Sequence, residues 1–187
     1  EVFAAAGGTA VRIPGGEIYT SLQTGVIDAV EWVGPYNDRA LGLHEVARYY
    51  YYPGWHEPGP LLEFIVNKQS MESLPADLQA IVTAAARTVN QDMLDEFTSR
   101  NNQALQQLIN EHGVQLRRLP DDVLRELWRA TEEVMQKLIA EDAMAAKVYA
   151  SFKTYYDGVR EYHHISEQAY INARDTVMDE PAASSTD

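Results

Sequence analysis

The sequence predicts an α/β fold, and three observations carry the prediction. Upstream of Lys68, short β-prone runs alternate with short helical segments amid dense Gly and Pro. Downstream, long stretches repeat apolar residues at helical period with few breakers. Hydrophobic residues make up 45% and charged residues 23% of the 187, the balance of a folded domain rather than a fibrous repeat.

In chain order, Glu1 to Ala6 reads as the end of a helix closed by Gly7-Gly8. Thr9 to Ile13 reads as a strand stopped by Pro14. From Gly16 to Thr24, Ser21, Leu22 and Ile18 share a helical face, and Gly25 is suited to the C-cap. Val26 to Val30 is the next strand, and Gly34-Pro35 a turn. Tyr36 to Val46 is helix-like. Tyr49 to Tyr52 and Leu61 to Val66 are strand candidates flanking the loop Pro53 to Pro60. Leu74-Pro75-Ala76-Asp77 opens a long helix, with Pro75 suited to a first turn. Its apolar stripe runs Leu78, Ile81, Val82, Ala85, Val89, Met93 and Phe97, then Leu105, Leu108 and Ile109, to Gly113. Val114 to Leu119 is a strand. Pro120-Asp121-Asp122 opens a helix that is acidic at its positive end, with Leu124, Leu127, Trp128, Val134 and Leu138 as its buried face. A last helix is expected from Asp142 to Arg174, bent near Gly158, long enough to brace lobes or join two copies. This divides the chain into a ligand-site region, residues 1–67, a helical region, 68–174, and a disordered tail, 175–187.

Charge and composition exclude several partners. Acidic residues outnumber Lys plus Arg by 28 to 15, a formal net charge of -13, which disfavours nucleic acid and anionic lipid. No apolar run approaches the ~20 residues of a membrane-spanning helix. Without cysteine there is no disulfide framework, thiolate metal site or cysteine nucleophile. The first residues lack an initiator Met and the basic and apolar regions of a signal peptide. The chain is expected to start at a processing site or within a longer protein.

Two constellations stand out. Glu31-Trp32 sits where an apolar run gives way to the Gly34-Pro35 loop, the kind of strand end where open α/β sheets bind ligands. The same residues also fit a surface glutamate beside a core tryptophan. In Pro53 to Pro60, Gly and Pro shape a loop presenting Trp55, His56 and Glu57 together. His56-Glu57 lacks the second His of a zinc-protease helix, and His44-Glu45 has Arg48 in that place. The four tyrosines from Tyr49 alternate faces in a strand, offering hydroxyls to a ligand or simply packing. His163-His164 has no other ligand at metal spacing.

If Glu31 and Glu57 converge, their repulsion requires protonation of one or a shared cation. A hard ion, Ca²⁺ or Na⁺, suits oxygen ligands and can also hold an anionic substrate. Without an ion, the pair beside aromatics suggests a glycoside hydrolase. A further alternative is a helical interaction module built on the region after Lys68.

The stretch from Gly15 to Ala29, then Glu31-Trp32-Val33-Gly34-Pro35, Tyr49-Tyr50-Tyr51-Tyr52-Pro53-Gly54-Trp55-His56-Glu57-Pro58-Gly59 and Leu74-Pro75-Ala76-Asp77-Leu78-Gln79, resembles the solute-binding proteins of TRAP (tripartite ATP-independent periplasmic) transporters. The two aromatic motifs resemble the branch that takes 2-oxo acids and lactate, often labelled mannitol/chloroaromatic. The similarity extends to about Arg174 and covers the C-terminal part of the family. It implies a periplasmic-binding-protein-like two-lobed α/β fold, here lacking most of the N-terminal lobe. It also implies a periplasmic location, a small carboxylate ligand such as pyruvate or lactate, delivery to a membrane permease, and no enzymatic activity. By motif match, Glu31 and Glu57 are implied as carboxylate ligands of a bridging Na⁺ or Ca²⁺. Trp32 is implied as a main-chain carbonyl ligand with its ring against the substrate. The family's substrate-clamping Arg would precede Glu1, and Arg12 does not match it.

Overall fold

The protein was analysed as a computed structural model that describes residues 1–59 and 61–179. In chain order these form helices α1 (Val2–Ala5), α2 (Gly15–Gln23) and α3 (Pro35–Ala40), a 3-10 turn (Leu43–Glu45), strand β1 (Tyr49–Tyr52), helices α4 (Lys68–Glu72) and α5 (Ala76–Asn110), strand β2 (Gln115–Arg118), and helices α6 (Asp121–Glu141), α7 (Ala143–Ile165) and α8 (Glu167–Asp179). They group into two compact units, residues 7–127, and residues 1–6 with the chain from Trp128 onward. No helix among the described residues is long and apolar enough to cross a membrane.

In the first unit, β1 and β2 pair in parallel, Tyr49 opposite Gln115 and Tyr52 opposite Arg118. Parallel neighbours need a long crossover, which α4 and α5 supply. The 35 residues of α5 make a rod of about 52 Å. Past its last residue, Asn110, the chain turns at Gly113, whose φ of +67° is the left-handed conformation glycine adopts without strain. Val114 N–H then donates to the Leu108 carbonyl at 2.9 Å, aiming the chain into β2. Against α5 lies α3: Tyr36 meets Phe97 edge-on at 5.8 Å and carries the Arg100 guanidinium 5.3 Å above its ring. Ile18, Leu43, Ala104, Leu108, Val114 and Leu127 are buried.

Several expected elements take another form. The runs at 9–13, 26–30 and 61–66 enter no ladder. A β-run becomes a strand only where a neighbour accepts its backbone hydrogen bonds. Val26 and Ile27 instead donate their N–H groups to the Ser21 carbonyl at 2.9 and 3.3 Å, which ties them to the end of α2. Leu61 and Ile65 are 83% and 85% exposed. The expected helix from Tyr36 to Val46 is divided at Gly42, with φ of +75°. The stripe of α5 is buried at Ala104 and Leu108, while Leu78, Ile81, Val89 and Met93 stay exposed. Trp128, expected in the core, is 60% exposed because Leu127 and Ala130 take the buried face of α6.

In the second unit, the Asp142 carboxylate caps α7, accepting the N–H groups of Met144 at 2.7 Å and Ala145 at 3.0 Å. The helix runs through Gly158 and breaks at Ser166, with φ −107° and ψ −104°, rather than bending at the glycine. A helical glycine costs about 1 kcal/mol yet keeps its N–H. Ser166 directs both its N–H and its hydroxyl to the Tyr162 carbonyl, at 3.0 and 2.8 Å. Residues 175–179, expected in the tail, belong to α8. Pro60 and residues 180–187, the remainder of that tail, lie outside the described residues.

Candidate cation and ligand site

Two loops build the site. The first, Glu31 to Gly34, precedes α3. Gly34 takes the N-cap with Pro35 following at the first helical position, where its missing N–H costs nothing. The Asp38 carboxylate, 7% exposed, reaches back to accept the N–H groups of Val33 at 3.3 Å and Gly34 at 3.2 Å. Tyr50 of β1 donates its hydroxyl to the other carboxylate oxygen at 2.5 Å. The Asn101 side-chain oxygen accepts the Tyr36 N–H at 2.9 Å. The Trp32 ring lies against Gly15: a Cβ there would come within 2.8 Å of the indole. Glycine at 15 is therefore what lets the ring lie against the start of α2.

The second loop follows β1. Past the cis Tyr52-Pro53 peptide, Gly54 approaches the Glu57 main-chain oxygen so closely that a Cβ would stand 2.5 Å from it. Trp55 and His56 rings lie 4.9 Å apart. His56 Nε2 is 3.3 Å from Glu57 Oε1 and 3.9 Å from Glu31 Oε2. One ligand atom from each of Glu31, His56 and Glu57 lies within 4.8 Å of the others.

The structure thus brings Glu31 and Glu57 together and adds His56, which the sequence reading placed in the loop without a role. Asp38 and Asn101 went unnoticed. The only signal was an acid in the first turn of a helix opened by Gly34-Pro35. Of the tyrosine run, Tyr50 is the half-buried member, spent on Asp38, while Tyr49, Tyr51 and Tyr52 are exposed. His163 pairs with Glu167 on the surface of the last helices.

The electrostatics are those of crowded acids. Desolvation lifts the Glu31 carboxyl above its usual range, the His56 imidazole pulls it down, and Glu57 and Asp38 push it up again. Burial raises Asp38, opposed by its bonds from Tyr50, Gly34 and Val33. A cation entering beside Glu31 and Glu57 relieves that repulsion, and carboxylate oxygens fit a hard ion such as Ca²⁺. A retaining hydrolase can also hold two carboxylates close together, so the geometry alone leaves both chemistries open.

Comparison with known proteins bears on that choice. The chain belongs to the bacterial extracellular solute-binding proteins of family 7, whose pattern matches residues 1–142. These are TRAP transporter binding proteins rather than enzymes, with the two-lobed fold. The chain is 36% identical over 160 residues to the monocarboxylate 2-oxoacid-binding periplasmic protein of Nostoc sp., covering 86% of the chain and 44% of that protein. Among solved TRAP binding proteins, that of Colwellia psychrerythraea, with bound calcium and pyruvate, superposes with a TM-score of 0.87 at 37% identity, over 92% of the chain and 52% of its own. That of Pseudoalteromonas atlantica, with sodium and pyruvate, gives 0.86 at 40%, over 91% and 52%. A dimeric protein from Bordetella bronchiseptica, with calcium and picolinate, gives 0.82 at 31%, over 90% and 50%. The chain spans about half the length of these relatives.

Proposed function

We propose that the chain is the site-bearing part of a periplasmic TRAP binding subunit. Its ligand is a small 2-oxo or 2-hydroxy monocarboxylate of the pyruvate or lactate kind, held through a bridging Na⁺ or Ca²⁺ and delivered to the membrane permease. Glu31 and Glu57 are the carboxylate ligands of the ion. Trp32 contributes its main-chain carbonyl and sets its ring against the substrate. The observation that carries the reading is the convergence of Glu31, His56 and Glu57 donor atoms within 4.8 Å. Two carboxylates and a third from the substrate need a positive centre between them, and bound calcium or sodium with pyruvate in the relatives supports that choice. The ion supplies attraction for a carboxylate and no bond-making chemistry.

Calorimetric titration with pyruvate tests this, using the protein completed to the length of its relatives. Tight binding is expected, lost on chelation, restored by Ca²⁺ or Na⁺, and abolished in Glu57→Gln, with no turnover in any form. No heat in either metal state overturns it.

The partner reading extends to a second copy of the chain. Along α7, Val148, Phe152, Tyr155 and Tyr162 are exposed. With Val159 they alternate by four and three residues, the spacing of a seam between paired helices. The dimeric relative supports this choice. Sedimentation should show a dimer that becomes a monomer on truncation before Asp142; an unchanged association state overturns it.

A further inference from the structure

Asp38 contacts neither Glu57 nor His56 in any bond described above, yet it touches the first loop of the site and the strand that feeds the second. Its Oδ1 accepts the Val33 and Gly34 amides, and its Oδ2 accepts the hydroxyl of Tyr50. The Val33 N–H belongs to the same peptide unit as the Trp32 carbonyl. A trans peptide is planar, with N–H and C=O pointing in opposite directions, so holding the one aims the other. Gly34 N–H fixes the Val33 carbonyl in the same way. Through Tyr50 the same carboxylate grips β1, the strand that feeds the loop of His56 and Glu57. A buried carboxylate is costly to desolvate, and these three donors are its hydrogen-bond partners. The Asp38 N–H itself donates to the Gly34 carbonyl at 2.9 Å, closing a reciprocal link across the first turn of α3.

We propose that Asp38 is the positioning residue of the cation site, aiming the Trp32 carbonyl and holding the Glu31 loop in register with the strand that carries Glu57. The proposal rests on the cation reading given above. It makes Tyr50 the pin that stops the carboxylate from swinging away from the two amides.

The test is cation titration of the protein completed to its relatives' length, in parent, D38A, D38N and Y50F forms. The Trp32–Val33 peptide is followed by labelling tryptophan carbonyl carbon and valine nitrogen. Among the tryptophans of this sequence, Trp32 alone precedes a valine. Ca²⁺ is expected to shift that signal in the parent. D38A should bind Ca²⁺ about 10- to 100-fold more weakly, the usual loss when a group supporting a metal ligand is removed. D38N, whose side-chain oxygen still accepts both amides and whose NH2 can donate to the Tyr50 hydroxyl oxygen in a reversed bond, should recover most of that loss, which a role through charge would not allow. A folded D38A with parental affinity overturns the proposal, as does a D38N defect equal to that of D38A. Should D38A not fold, Y50F takes its place: a several-fold weakening supports the proposal and unchanged affinity overturns it. A parent that binds no cation removes the underlying reading and the proposal with it, and that failure shows in the parent alone.

Discussion

The main-chain oxygen of Glu57 stands where a side chain on Gly54 would have to be, 2.5 Å from the Cβ position. The obstructing atom belongs to the backbone, so a substituent at 54 must displace the loop itself. Gly54→Ala is therefore expected to weaken Ca²⁺ binding about tenfold or more, at the scale of disturbed metal-ligand support. Calorimetry gives the affinity, and an unchanged circular dichroism spectrum confines the effect to the loop.

Removing one charge from the acidic pair should separate repulsion from binding. In Glu31→Gln, the desolvated charge and the smaller repulsion from Glu57 and Asp38 that lift the Glu31 carboxyl are gone, so the cation-free protein should melt no lower than the parent. The stabilisation by Ca²⁺ should disappear with it. For an intact site that stabilisation is about 2.7 kcal/mol at a hundredfold excess over Kd. Thermal denaturation of both proteins with and without Ca²⁺ provides the comparison.

His44 gives the fold a dependence on pH. Its ring lies 4.1 Å from that of His112, and its Nδ1 is buried without a hydrogen bond. Burial, then the neighbouring His112 and also Arg39, lower its pKa, against an opposing pull from Glu45. The unfolded chain thus takes up the proton first as pH falls. Stability is full above the ordinary histidine value of about 6.5 and declines below it, down to the lowered folded value. Urea titrations on either side of that value should show the decline, and His44→Gln should reduce it.

Asn101 serves the helix start. Without its side-chain oxygen, the half-buried Tyr36 N–H loses its partner at an end of α3 where helical acceptors are absent. Asn101→Ala is expected to cost about 1–3 kcal/mol, as for other stranded buried donors, by urea denaturation.

The long helices were legible because their signals are local: period, capping residues, and the prolines and glycines at their ends. β1 and β2 were legible too, within the runs Tyr49 to Tyr52 and Val114 to Leu119. The runs at 9–13 and 61–66 carry the same β-prone signal, but pairing depends on a neighbour that local sequence does not encode. Trp128 was misplaced by about one helical step, since apolar residues at 127, 128 and 130 leave the inner face ambiguous until a neighbouring element chooses it. At the site, Glu31 and Glu57 were chosen for their position at loops. Asp38 escaped because its role depends on two amides and a tyrosine that only the fold assembles.

Tyr49 meets Gln115, 66 positions along the chain, so this pairing waits for α5 to form and fold back, whereas a helix needs only its own neighbours. Tyr50, which braces Asp38, lies on the same strand. Opening of β1 from β2 is expected to loosen the Tyr50 brace, and amide exchange at Val33 and Gly34 should then follow the opening of the strands. The firmness of the site is thereby tied to a long-range pairing between two strands rather than to the local hydrogen bonds of a helix.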